Sequence, residues 1–268
     1  MLATLSPARR RFVVVLVALV VTVIVVVTVW AARRATTSAV QPVPQDRPGP
    51  VLLVPGYGGS VLSLAPLVSA LRAEGRDATI VTLAGDGTGD LRVQAQRLGQ
   101  AAQAAMDRTG AMSVDVIGYS AGGVVARLRV RDYGGDEAAR RVLTLGSPHH
   151  GTTVAALAAQ VVPGLCTGAC EQLAPDSDLL RALNAGDETP EGPRFVSIWT
   201  TADELVTPAG SASLEGAINI TVQGICPDSQ VAHRGLPSDP VVLGSVLLAL
   251  GRTLPVAPTA EDCGRLSS

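Results

Sequence analysis

Two kinds of hydrophobic run alternate from Pro50 toward the C-terminus. Short stretches dense in Val, Ile and Leu occur at VLLV (51–54), DATIVTL (77–83), SVDVIG (113–118), ARRVLTLG (139–146), RFVSIWT (194–200) and GAINITV (216–222). Their length and bounding turn residues predict strands. Longer segments at 64–75, 90–110, 122–134 and 239–252 repeat apolar residues three and four apart, which predicts helices. Asp90 is placed to cap the second of these helices and Gly110 to stop it, while Gly75 ends the first. Strands alternating with helices imply an α/β fold, with a mostly parallel central sheet and helices on both faces. No internal repeat is present. The sequon at Asn219 falls inside a predicted strand and reads as a chance match.

The first 49 residues follow a different pattern. Arg9, Arg10 and Arg11 precede an uninterrupted apolar run over 12–32. A span of ~20 apolar residues is long enough for a bilayer, whereas a secretory h-region is usually ~7–15. The expectation is a basic cytoplasmic segment over 1–11 and a transmembrane signal-anchor or signal peptide helix over 12–32. Length favours the anchor, and cleavage after Ala31 remains open. Residues 33–49, polar and carrying three prolines, read as a tether to a single domain over 50–268. In either case that domain is expected outside the cytoplasm, membrane-anchored or secreted.

Composition narrows the functional classes. The chain has 268 residues, 47% of them hydrophobic, enough for one sizeable core. Its formal net charge of −2 provides no basic field for nucleic acid. All the basic residues are arginine. Four cysteines suit an oxidising compartment. They allow three pairings, of which the local one, Cys166–Cys170 and Cys226–Cys263, is expected. The second bridge would pin the coil-like tail from Pro255. A metal site is the rival reading, and without a C-x-x-C pair or a nearby histidine no metal is expected.

The candidate chemistry centres on DVIGYSAGG (115–123). Gly118-Tyr119-Ser120-Ala121-Gly122 fits G-x-S-x-G. Its position after a predicted strand and before a predicted helix is the setting that makes Ser120 a nucleophile rather than a turn residue. Gly118 and Gly122 would be required by the tightness of that turn. Together with VLLVPGYGGS (51–60) and VLTLGSPHHGT (142–152), the segment VIGYSAGGVVAR (116–127) resembles the α/β-hydrolase superfamily, and more narrowly the small bacterial triacylglycerol lipases. The resemblance runs from about Val51 to Leu250. It implies an α/β-hydrolase fold and an oxyanion hole made by the N–H groups of Tyr57 and Ala121. Pro55 stands where such lipases usually carry histidine.

The superfamily's chain order of nucleophile, acid and base selects among three histidines. His233, after the last strand, satisfies that order. His149 and His150 follow the fourth strand and read as loop-packing residues near the cleft. Asp203, in TTADELVTP after the fifth strand, is the expected acid. Adjacent Glu204 is expected to point elsewhere, and Asp228 and Asp239 read as turn or cap residues. These assignments imply a serine hydrolase that cleaves carboxylic, and in particular lipid, esters through an acyl-enzyme without a cofactor, acting as a monomer. An acyltransferase on the same triad, a thioesterase or amidase, and a non-catalytic binding member of the fold are the alternatives. The apolar segment opening 151–184 reads either as a cap for an acyl chain or as an ordinary helix. The membrane, through the N-terminal helix, is the other expected partner.

Overall fold

The computed structural model describes residues 7–35, 40–161, 164 and 166–267. They fall into two units, Met1–Val40 and Gln41–Ser268. The first unit contributes one helix, α1 (Pro7–Ala35). Apart from Thr22 and Thr28, its side chains between Val15 and Val29 are apolar, and they are exposed. Thr22 and Thr28 turn their hydroxyls back onto the carbonyls of Ala18 and Ile24. Among the described residues no helix is long and apolar enough to cross a membrane. The bilayer-spanning segment expected over 12–32 is therefore not supported as such. The side chains at its two ends lie outside the described residues, as do residues 1–6 of the basic segment and 36–39 of the tether.

The second unit is built on six parallel strands: β1 (Val51–Val54), β2 (Ala78–Ile80), β3 (Val114–Tyr119), β4 (Ala139–Leu145), β5 (Arg194–Trp199) and β6 (Ile218–Thr221). Their order is β2-β1-β3-β4-β5-β6, and every neighbouring pair is parallel. The helices α2 (Ala65–Ala73), α3 (Leu91–Thr109) and α4 (Ala121–Asp132) follow β1, β2 and β3 in turn. Between β4 and β5 lie α5 (Thr153–Val161), α6 (Ala169–Gln172) and α7 (Asp178–Leu183). After β6 come α8 (Val222–Ile225), α9 (Pro240–Ala249) and α10 (Cys263–Leu266). Asp90 caps α3 through Arg92 N–H, and Gly110 ends it in the left-handed conformation, as the sequence predicts. Asn219 spends its side-chain amide on Leu214 and Ala217 within the turn before β6.

Alternation along the strands sorts the core into two layers. Leu52, Val54, Val116 and Val142 pack toward Leu98 of α3 and Val124 and Leu128 of α4. Val51, Leu53, Ile117 and Leu143 pack toward Leu67 and Leu71 of α2 and Val242 and Val246 of α9. Both faces are covered, so the strands need apolar residues at every position, and β1, β3 and β4 are buried along their whole length.

The exception in β4 is Arg140-Arg141, both wholly buried. Arg140 grips Asp115 of β3 with two bonds, Nε–H to Oδ1 at 2.8 Å and Nη2–H to Oδ2 at 2.6 Å. Arg76 donates to the same Oδ2 at 2.6 Å. Arg76 and Arg140 also donate to Leu250 O, Arg140 to Gly251 O, and Arg141 to the carbonyls of Ala249 and Thr253, while the buried Arg141 Nε–H has no partner among the described residues. Three guanidinium groups thus satisfy the bare C-terminal carbonyls of α9, where positive charge is favoured. Arg140 also donates to Gln45 O at 2.7 Å, and Arg76 to Gly49 O at 3.1 Å. The tether expected over 33–49 therefore docks on the domain from Gln41 onward.

Both disulfides are present. Cys166–Cys170 ties the loop before α6 to the second residue of that helix, with a Cα–Cα distance of 5.0 Å. Cys226–Cys263 joins the end of α8 to α10 at 5.2 Å, fastening the C-terminal tail.

Candidate active site

In a doubly wound sheet the crevice opens at the carboxyl ends of the strands, where the strand order reverses. Here the reversal falls between β1 and β3. Ser120 occupies that position, directly between β3 and α4. Its φ of 53° and ψ of −125° make it the one non-glycine residue with positive φ among the described residues. Such a conformation costs about 1–3 kcal/mol and must be held by its surroundings. One restraint is the bond from Ser120 N–H to Leu145 O at 2.8 Å.

The flanking glycines have a steric cause. A methyl group at Gly118 would lie 2.5 Å from the backbone of Gly122 and Gly123. One at Gly122 would lie 2.2 Å from Val54 O. The start of α4 therefore presses on the ends of both β1 and β3. Ala121 is the first residue of α4, so its N–H has no intrahelical acceptor. The loop after β1 stands beside the serine: a methyl group at Gly56 would come within 3.0 Å of Ser120 Cβ and 3.5 Å of its Oγ. Tyr57 follows, with its side chain half exposed.

Asp203, on the loop after β5, and His233, on the loop after α8, form a buried pair. The Nδ1–H of His233 donates to Asp203 Oδ2 at 2.7 Å. The other oxygen, Oδ1, accepts from the N–H groups of Leu205 and Val206 at 2.9 and 2.7 Å. With its lone pairs assigned in this way, the carboxylate has no freedom to rotate. The pair lies over the end of β4 because Gly146 is there: a methyl group would sit 3.1 Å from His233 Nδ1 and 3.3 Å from Asp203 Oδ2. Sequence reasoning missed Gly146, whose signal was its position closing the apolar run of β4.

The backbone of His233 is held as well. Its N–H donates to Glu204 Oε2 at 3.2 Å, and its carbonyl accepts from Tyr119 Oη at 3.3 Å. The rings of Tyr119 and His233 lie 5.2 Å apart, tilted by 33°. Burial, and then the Asp203 carboxylate, push the Tyr119 phenol up to about 12, so it remains a donor. Glu204, expected to point elsewhere, is thus in contact with His233. The hydroxyl of Ser120 has no hydrogen-bond partner among the described residues. Nucleophile–base bonds are often open without substrate and close in the complex.

The other histidines lie under the loop after β4. His149 is fully buried, with Nε2 3.0 Å from Thr144 Oγ1 and no partner at Nδ1. Ser197 Oγ donates to Ala212 O, and Thr144 Oγ1 donates to Ser197 Oγ. Thr144 can then only accept from His149, which fixes its proton on Nε2. Burial, Arg127 and His150 hold His149 well below the usual imidazole range. His150 bonds Glu188 Oε1 at 2.7 Å. Asp239 caps α9 through Val242 N–H, and Asp228 is exposed.

The sequence pattern of the class 2 lipases matches residues 96–234, which includes Ser120, Asp203 and His233. The chain belongs to the class 2 lipase family. This places it among the carboxylic ester hydrolases, as its motifs imply. Solved structures share the fold. Lipase B of Aspergillus fumigatus superposes with a TM-score of 0.69 at 19% identity, covering 82% of this chain and 56% of that enzyme. The mature lipase BlEst2 of Bacillus licheniformis gives 0.63 at 17% identity, covering 79% and 94%. A gene product of Listeria innocua gives 0.55 at 17% identity, covering 80% and 99%. The chain thus spans just over half the length of the Aspergillus lipase and nearly all of the mature Bacillus one.

Proposed function

We propose that this class 2 lipase hydrolyses carboxylic esters, lipid esters in particular, with Ser120 as nucleophile, His233 as base and Asp203 as acid. The carrying observation is the buried Asp203–His233 pair beside a serine on a positive-φ turn. His233 Nδ1–H is committed to Asp203, which leaves Nε2 unprotonated to take the Ser120 proton. Ser120 Oγ attacks the ester carbonyl, and the N–H groups of Tyr57 and Ala121 stabilise the oxyanion. The imidazolium returns its proton to the leaving alcohol. Water then enters along the same path, and His233 activates it to release the acid. None of these steps uses a cofactor.

An apolar acyl chain is favoured by α5. Val154, Leu157 and Val161 lie exposed on it, and its first residue is tied by Thr153 N–H to Thr207 O, four residues after Asp203. Two disulfides favour an extracytoplasmic location. The exposed apolar side chains of α1, following three arginines near its start, favour export as well. The test is hydrolysis of p-nitrophenyl esters from short to long acyl length, with Ser120→Ala run beside the native protein. Loss of activity in the variant is expected, with a preference for longer chains. Equal activity in both proteins refutes the nucleophile, and acyl transfer to an added alcohol in preference to water would show a transferase.

A further inference from the structure

We propose that Tyr119 and Glu204 are positioning residues that grip the two ends of the His233 backbone and so aim its ring at Ser120. The inference rests on the triad reading above. His233 is carried on the loop between α8 and α9, outside the sheet, where no strand ladder fixes it. It opens a 3-10 turn, His233–Ser238, whose preceding residue Ala232 supplies no side-chain cap. The first N–H of such a turn has no acceptor within it. Glu204 supplies that acceptor from a different loop, and Tyr119 donates to the carbonyl of the same residue.

Chain connectivity makes the grip specific to catalysis. Tyr119 is covalently adjacent to Ser120, and Glu204 to Asp203. Each partner of the base therefore brings a neighbour that holds the base's main chain. Rotation of the His233 ring about its side-chain bonds breaks its bond to Asp203, and displacement of its main chain breaks the bond to Glu204 or Tyr119. Tyr119 also buttresses the ring face and is itself buried. Glu204 adds a second negative charge near the imidazolium that forms when Ser120 attacks, which favours that state.

The test compares Tyr119→Phe, Glu204→Leu and Glu204→Gln in the full chain by ester hydrolysis, with His233→Ala beside them. The phenylalanine keeps the ring and loses only the hydroxyl. Glutamine keeps an oxygen acceptor for the His233 N–H, and leucine does not. Tyr119→Phe and Glu204→Leu should each lower kcat about tenfold with KM within about twofold, since misplacing a catalytic group costs rate rather than binding. Glu204→Gln should restore kcat to within about threefold. The low-field proton resonance of His233 Nδ1–H should shift in Tyr119→Phe and Glu204→Leu and return in Glu204→Gln.

Unchanged kcat in Tyr119→Phe and Glu204→Leu, with His233→Ala inactive, overturns the grip and leaves the triad standing. A Glu204→Gln variant as slow as Glu204→Leu overturns Glu204 as the acceptor. Should Glu204→Leu fail to fold, the glutamine and phenylalanine variants decide by the same readouts. Full activity in His233→Ala overturns the triad itself.

Discussion

His149 should make the stability of this lipase fall in acid, and the sign follows from its surroundings. The ring is wholly buried, its Nε2–H is committed to Thr144, and Nδ1 faces no partner. Protonation would place a positive charge in a dry site next to Arg127, whose own ionisation burial depresses to about 10. The native state therefore keeps His149 neutral, while the unfolded chain protonates it near the ordinary imidazole value of about 6.5. Below that pH the unfolded state binds one more proton, so stability is full above it and is lost as pH falls toward the lowered native value. The slope is a little over 1 kcal/mol per pH unit, roughly 2 kcal/mol between pH 6.5 and 5. The assay is urea unfolding at intervals from pH 8 to pH 5, disulfides intact, on the native protein and on His149→Gln. The difference between the two curves isolates this proton. Parallel curves would refute the argument, because they would mean that His149 titrates alike in folded and unfolded chains.

Asp203→Asn should lower kcat by about 10³–10⁴-fold with little effect on KM. Oδ1 is held by two backbone N–H groups, so the new amide would turn its NH₂ toward His233 and force the wrong tautomer; a loss below about tenfold in ester hydrolysis contradicts the geometry. Gly122→Ala should destabilise by about 1–3 kcal/mol or more and abolish activity, since its methyl group would overlap Val54 O. Thermal unfolding and turnover read both effects, and a normal Tm would contradict the close contact. Asp115→Asn should cost about 3–5 kcal/mol, because it strands Arg140 and Arg76 without their shared carboxylate. That loss should appear in Tm while Asp203–His233 chemistry in the surviving folded fraction is unchanged.

Local and periodic features were legible along the chain. Strands buried on both faces must be apolar throughout, so VLLV and the run before Gly118 identified themselves. Asp90 and Gly110 bounded α3 because capping is decided by the nearest residues. The strand–turn–helix setting of Ser120 was readable because a turn that tight admits only glycine at Gly118 and Gly122. Chain order then singled out Asp203 and His233. What could not be read were contacts between residues far apart in sequence. Nothing local shows what pairs Arg140-Arg141 inside their predicted strand; only folding brings Asp115 and the carbonyl end of α9 to them. The docking of 41–49 depends on those same arginines. Glu204 was expected to point elsewhere, since nothing local reveals that the His233 N–H, 29 positions later, would lack an acceptor. The sequence therefore determined the strands, the helix limits and the nucleophile's turn, each set by neighbours within a few residues. The tertiary structure alone decided how the base is held and which buried charges are paired, because those contacts arise only when separate strand ends meet at one edge of the sheet.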